Sequence, residues 1–78
     1  MSDIHKNYLL DLGRYVRDAG TAAKRDTESA SDDDREFQQG RRMAYYEVLS
    51  LMEQQATAFN LPLRDLALDG FDADRDLS

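Results

Sequence analysis

Residues 37–59, FQQGRRMAYYEVLSLMEQQATAF, constrain the fold more than any other part of this sequence. Turned at about 100° per residue, their apolar and small side chains spread over roughly half the circumference of a helix, wider than the ~100° stripe that packs a surface helix onto one neighbour. Phe37, Gly40, Ala44, Tyr45, Val48, Leu49, Met52 and Ala56 lie in that arc, together with Leu51 and Phe59. One partner helix cannot hide such a surface, and a chain of 78 residues has room for only one other long helix. The expectation is an all-α fold: an antiparallel two-helix hairpin plus a short C-terminal helix, dimerising into a four-helix bundle. The eight residues named first are the expected dimer interface. Gly40 and Ala44 admit two readings, ordinary large-small alternation in a core or the crossing point with a second subunit.

The pattern divides the chain into a helix over 3–28, a turn at 29–32, a helix over 33–60, a short helix over 62–68 and a mobile acidic tail at 71–78. In the first helix Ile4, Leu9, Leu12, Tyr8, Tyr15, Val16, Ala19, Ala22 and Ala23 share an arc of about 140°. Ser2 or Asp3 is the candidate cap. Gly13 and Gly20 each cost roughly 1 kcal/mol against alanine in a helix interior. The return of Ala22 and Ala23 in phase nevertheless favours one continuous helix. The linking stretch DTESASDDD offers Ser31 or Asp32 as the second cap, with acidic residues following at the positive end of the helix dipole. Asn60 is suited to stop the second helix and Pro62 to open the next. Leu61, Leu63, Leu66 and Leu68 are expected to fold back over the open end of the hairpin, and Asp69-Gly70 ends that element.

A chain this short buries a modest share of its surface. It has no cysteine, so neither a disulfide nor a thiolate metal site supplies stability, and self-association is the remaining common remedy. The missing cysteines fit a cytoplasmic setting. No run approaches the roughly 18 apolar residues of a membrane span, and the first residues lack the basic-then-apolar order of a signal peptide. A net charge of −6 disfavours nucleic acid and anionic lipid as partners.

The search for chemistry returns little. His5 is the single histidine and has no convergent ligands in the pattern. Glu47 and Glu53 lie off the apolar arc, and no Glu-x-x-His occurs, which argues against a carboxylate-bridged metal pair. Asp72, Asp74 and Asp76 alternate like the start of a calcium loop, yet Leu77 stands where the loop glycine belongs. The expectation is therefore no catalytic residue, no metal and no cofactor. Arg41 and Gln55 interrupt the apolar arc. The arginine is expected to snorkel to the bundle edge, with an inter-subunit ion pair as the alternative. Met43 and Tyr46 fall off the main arc and are candidate contacts for a partner protein. Lys6, Arg17 and Lys24 line one side of the first helix and are the candidate contacts if the partner were RNA or DNA.

The stretch GRRMAYYEVLSLMEQQATAFNLPLRDLALDGFD, residues 40–72, resembles the C-terminal half of a group of small bacterial proteins of unknown function, in which an Ala-Tyr-Tyr-Glu-Val-Leu-Ser helix precedes a Leu-rich element and an acidic end. The expected architecture also resembles, in shape, the helical-hairpin dimers typified by the plasmid copy-number regulator Rop, which binds RNA through polar helix faces. The first resemblance implies no catalytic residues. The second implies a hairpin dimer and carries no RNA-contact motif onto this sequence. The function expected is a non-enzymatic protein–protein interaction or regulatory module, with RNA binding as the alternative.

Overall fold

A computed structural model describes residues 3–78. Ser2, one of the two candidate caps, lies outside the described residues. Two long helices dominate, α1 (Asp3–Glu28) and α2 (Arg35–Ala58). They are followed by a single 3₁₀ turn (Leu63–Leu66) and a short helix, α3 (Ala73–Leu77). No strand occurs among the described residues. The all-helical hairpin with a short C-terminal helix is thus the fold.

α1 passes through Gly13 and Gly20 without a break. Both are buried, and both lie where another element presses on the helix. A Cβ at Gly13 would sit 1.8 Å from the Leu66 carbonyl oxygen, so only glycine admits the 3₁₀ turn at that depth. The connection is longer than expected, and α2 begins at Arg35 rather than at 33. Neither Ser31 nor Asp32 caps it. Residues 32–34 form a turn closed by Asp34 N donating to Ser31 O at 3.1 Å, and Asp34 occupies the cap position without a side-chain capping bond, its carboxylate accepting from the Ser31 hydroxyl at 3.4 Å. Asp32 pairs with Arg35 at 3.4 Å instead.

Two polar contacts tie the helices together near this turn. The Thr27 hydroxyl reaches the Gln38 carbonyl oxygen at 2.9 Å. Arg41 donates to Asp26 at 2.9 Å and to the Gln38 side chain at 3.1 Å. Arg41 is therefore partnered within its own chain, half-buried, by a carboxylate on the other helix.

α2 ends in a Schellman motif. Asn60 adopts φ 57°, its N–H donates to Thr57 O at 3.1 Å, and Leu61 N donates to Ala56 O at 2.8 Å. The short helix expected over 62–68 proves to be one 3₁₀ turn, closed by Leu68 N donating to Leu63 O at 2.9 Å around a left-handed Ala67. Its leucines do not cap the open end of the hairpin. They lie along its flank, because Gly13, well inside α1, is where Leu66 docks.

The residues expected to be a mobile tail are an ordered part of the core. Asp72 caps α3, accepting from Arg75 N at 3.1 Å, while Asp72 N donates to the Asp76 carboxylate at 2.9 Å. Phe71, Ala73 and Leu77 are buried, and with Leu49, Ala56, Leu66 and Leu68 they form the hydrophobic core. Val16, Tyr45, Tyr46, Met52, Leu61 and Leu63 pack around it. The reason lies in spacing: Ala73 and Leu77 are four residues apart and share one face, so a single turn of helix turns both inward while its aspartates face water. The molecule is a rod of 46 × 21 × 17 Å.

Candidate interaction surface

The C-terminal segment returns along one side of the hairpin, and cationic side chains hold it there. Arg17 donates to Ala67 O at 2.9 Å and to Asp69 O at 3.0 Å, and its guanidinium lies 5.3 Å from the centre of the Phe71 ring. Lys24 donates to Ser78 O at 3.2 Å and Arg42 to Leu77 O at 2.6 Å, both at the negative end of α3. The Tyr46 hydroxyl donates to Asp74, and Ala73 N donates to the Glu53 carboxylate at 3.0 Å.

Protonation on this side follows from these contacts. The Asp74 carboxylate beside it raises the Tyr46 hydroxyl above its usual value. Burial raises Glu53, partly offset by the Ala73 N–H and reinforced by the charges of Asp72, Asp74 and Asp76. Arg75 holds Asp76 down at about 2.

On the first helix, Arg17 and Lys24 mark the side that faces the tail. Ile4, Tyr8, Leu12 and Tyr15 project from the roughly opposite side of the helix. On α2, Arg42, Tyr46 and Glu53 face the tail, and Phe37, Ala44, Val48 and Leu51 point away. The hairpin therefore has a closed side, covered by its own C-terminal segment, and an open apolar side. Exposure on the open side is large: Ile4 80%, Tyr15 74%, Phe59 71%, Phe37 69%.

The eight residues expected at a dimer interface divide between these sides. Phe37, Gly40, Ala44 and Val48 lie on the open side, exposed. Leu49 and Ala56 are buried in the chain's own core, and Tyr45 and Met52 are half-buried against it. Leu49 and Ala56 are corrected from interface to core positions, and Tyr45 and Met52 sit at the boundary between the core and the surface. The overwide arc of α2 serves two surfaces at once, one facing α1 and the returning tail and one facing outward. Ile4, Tyr8, Leu12, Tyr15, Leu51 and Phe59 are members of the open side that the expected interface omitted. The 4-8-12-15 stripe of α1 was the available signal. It reads equally well as the face that α1 turns to α2.

Met43 and Tyr46 come together. With Arg42 and Ser78 they line a shallow hollow of about 350 Å³. Met43 is exposed, and Tyr46 is half-buried because its ring takes part in seating α3. Lys6 is exposed and borders a separate groove of about 430 Å³ with Asp3, Asn7, Leu10, Arg64 and Asp65. Lys6, Arg17 and Lys24 do not form a row of solvated cations, because Arg17 and Lys24 reach inward to backbone carbonyls of the tail.

His5 is exposed near the start of α1. Among the described residues, no group of three or more His, Cys, Asp or Glu is placed to hold a metal ion. No helix among them is long and apolar enough to cross a membrane. No protein family, curated protein or solved structure matches the chain.

Proposed function

We propose that this chain is a non-enzymatic protein–protein interaction module, that the open side of its hairpin is the binding surface, and that two hairpins pair through it into a four-helix bundle. The observation that carries this reading is the apolar, charge-poor stripe running the length of both helices. One third of the chain's residues are charged, yet within the open side the charged groups are the ion pair of Asp26 and Arg41, with Gln55 as a further polar member and His5, Asp11 and Glu47 along the edges. Depletion of charge around large apolar and aromatic side chains is the composition of an interface centre.

Area supports the same conclusion. Ile4, Tyr8, Leu12 and Tyr15 on α1 and Phe37, Val48, Leu51 and Phe59 on α2 are 42–80% exposed. At about 100 Å² each they present on the order of 800 Å² per protomer, the size of a standard specific interface. Arg17 and Lys24 are occupied in holding the tail, which supports the interaction reading over RNA binding. Sedimentation equilibrium over the micromolar range tests the proposal. A species of twice the 8.9 kDa chain mass is the expected result. A well-ordered species of single chain mass at every concentration refutes pairing.

A further inference from the structure

The open side is graded in size along its length. Toward the free ends of the hairpin its large members are Ile4, Tyr8 and Leu12 on α1 and Phe59 at the end of α2, with Gln55 and Ala58 between Leu51 and Phe59. Toward the connecting turn it is built of Ala19, Ala22, Gly40 and Ala44, with Phe37 alone at the far edge. The ion pair of Asp26 and Arg41 and the approach of Tyr45 to Gly20 fix how the two helices align. In that alignment Tyr15, Val48 and Leu51 lie near the middle of the rod.

Gly40 sharpens the point. A Cβ there would meet nothing within 4 Å, whereas one at Gly13 or Gly20 would collide. The chain itself gives no reason to place glycine inside α2 at a cost of roughly 1 kcal/mol in helix propensity. A side chain arriving from outside does.

We infer that the second copy docks head to tail, about a two-fold axis through Tyr15, Val48 and Leu51, so that the bulky half of each hairpin covers the small-residue half of the other. This rests on the proposed pairing and adds its direction. In this arrangement Tyr8 of one copy lies over Gly40 and Ala22 of the other, and Leu12 over Ala44. Ile4 meets Phe37, so the one large residue of the turn half also gains an apolar neighbour. The Tyr8 hydroxyl arrives at the level of the Asp26 and Arg41 pair, where a polar group is welcome. The parallel alternative stacks Tyr8 and Phe59 on their own counterparts and sets alanine and glycine against alanine and glycine. It crowds one end of the interface and leaves a void at the other, and protein interiors tolerate neither well. The two-fold arrangement is isologous and closes on itself, so it yields a dimer and no filament.

Because the chain has no cysteine, one introduced thiol carries a spin label uniquely. Ser31 is exposed and lies in the connection outside both helices, so S31C replaces no residue named on the open side. Pulsed dipolar distance measurement on the S31C homodimer is expected to give a separation near the 46 Å length of the rod, since the two turns lie at opposite ends. A mixed sample of chains labelled at S31C and chains labelled at N7C is expected to give a short distance, on the order of one or two interhelix spacings of about 10 Å. A short distance in S31C alone overturns the head-to-tail arrangement and leaves the pairing standing. Absence of any dipolar signal, together with a sedimenting mass of one chain, overturns both.

Discussion

Glycine residues that look alike in the sequence carry different burdens in the fold. Gly13 faces a backbone carbonyl that cannot swing away, whereas a Cβ at Gly20 would meet the ends of the Leu49 and Leu77 side chains at 2.9 and 3.2 Å and the Tyr45 Cβ at 3.3 Å. Gly13→Ala is therefore expected to destabilise the fold by about 1–3 kcal/mol, even after the roughly 1 kcal/mol that alanine contributes to helix propensity. Gly20→Ala is expected to cost less, because a leucine methyl can shift by a few tenths of an ångström. Urea unfolding followed by circular dichroism separates the two, and equal midpoints would contradict the close approach at Gly13. Left-handed backbone positions give a second prediction. Gly70 holds φ +74° with a residue suited to it, while Ala67 holds φ 57° with one that is not. Ala67→Gly is expected to stabilise by up to about 1 kcal/mol, the relief of strain exceeding the added chain entropy. Gly70→Ala is expected to destabilise by about 1 kcal/mol, visible as a lower melting temperature.

At the scale of elements, α3 and the 3₁₀ turn do for this hairpin what a third long helix does in a larger bundle. Leu77 is fully buried, and Leu77→Ala is expected to cost about 2–5 kcal/mol in unfolding experiments. Charge on α3 acts in two directions. Asp76 has a folded value of about 2, below its ordinary 3.8. Its stabilising contribution is present above that ordinary value and is lost as pH falls through about 2. Glu53 is raised above 4.5, so its contribution is present below 4.5 and is lost as pH rises through the raised value. The ionised Glu53 thus works against the docked tail at neutral pH, among Asp72, Asp74 and Asp76. Glu53→Gln keeps a carbonyl oxygen to accept from Ala73 N and removes the charge. Stability measured against pH is expected to favour the variant at pH 7 and to converge with the parent below about pH 4. A constant gap at all pH values would show that Glu53 ionisation is not coupled to docking.

The two long helices were legible in the sequence because each repeats its apolar pattern over about seven turns. α3 was not, because one turn offers a single i, i+4 pair, Ala73 and Leu77, set among Asp72, Asp74, Arg75 and Asp76. Its local signal was the Asp72 cap. Its decisive contact, Leu77 beside Gly20, is separated by most of the chain and leaves no mark in local periodicity. The open side was legible only in half. Phe37, Gly40, Ala44 and Val48 could be read from α2, but the contribution of α1 depended on knowing which edge of its stripe the tail would cover.

For the whole molecule, the division into a closed and an open side sets what a substitution does. A change on the closed side loosens the monomer, whereas a change on the open side leaves the monomer intact and alters what it can bind. Leu51 belongs to the second class. It is 55% exposed and lies outside the core cluster and its packed surroundings. Leu51→Glu places a charge at the centre of the proposed interface without removing a core contact, and burying an unpaired carboxylate there is far costlier than leaving it in water. The parent chain is expected to melt at temperatures that rise with protein concentration, as association stabilises the folded form by mass action. The variant is expected to keep the helical circular dichroism of the parent, to melt at a concentration-independent temperature and to sediment as one chain. If the parent also melts independently of concentration, the open side is not covered by a second copy. If the variant unfolds outright, Leu51 belongs to the core after all, and the boundary between the two sides must be redrawn through α2.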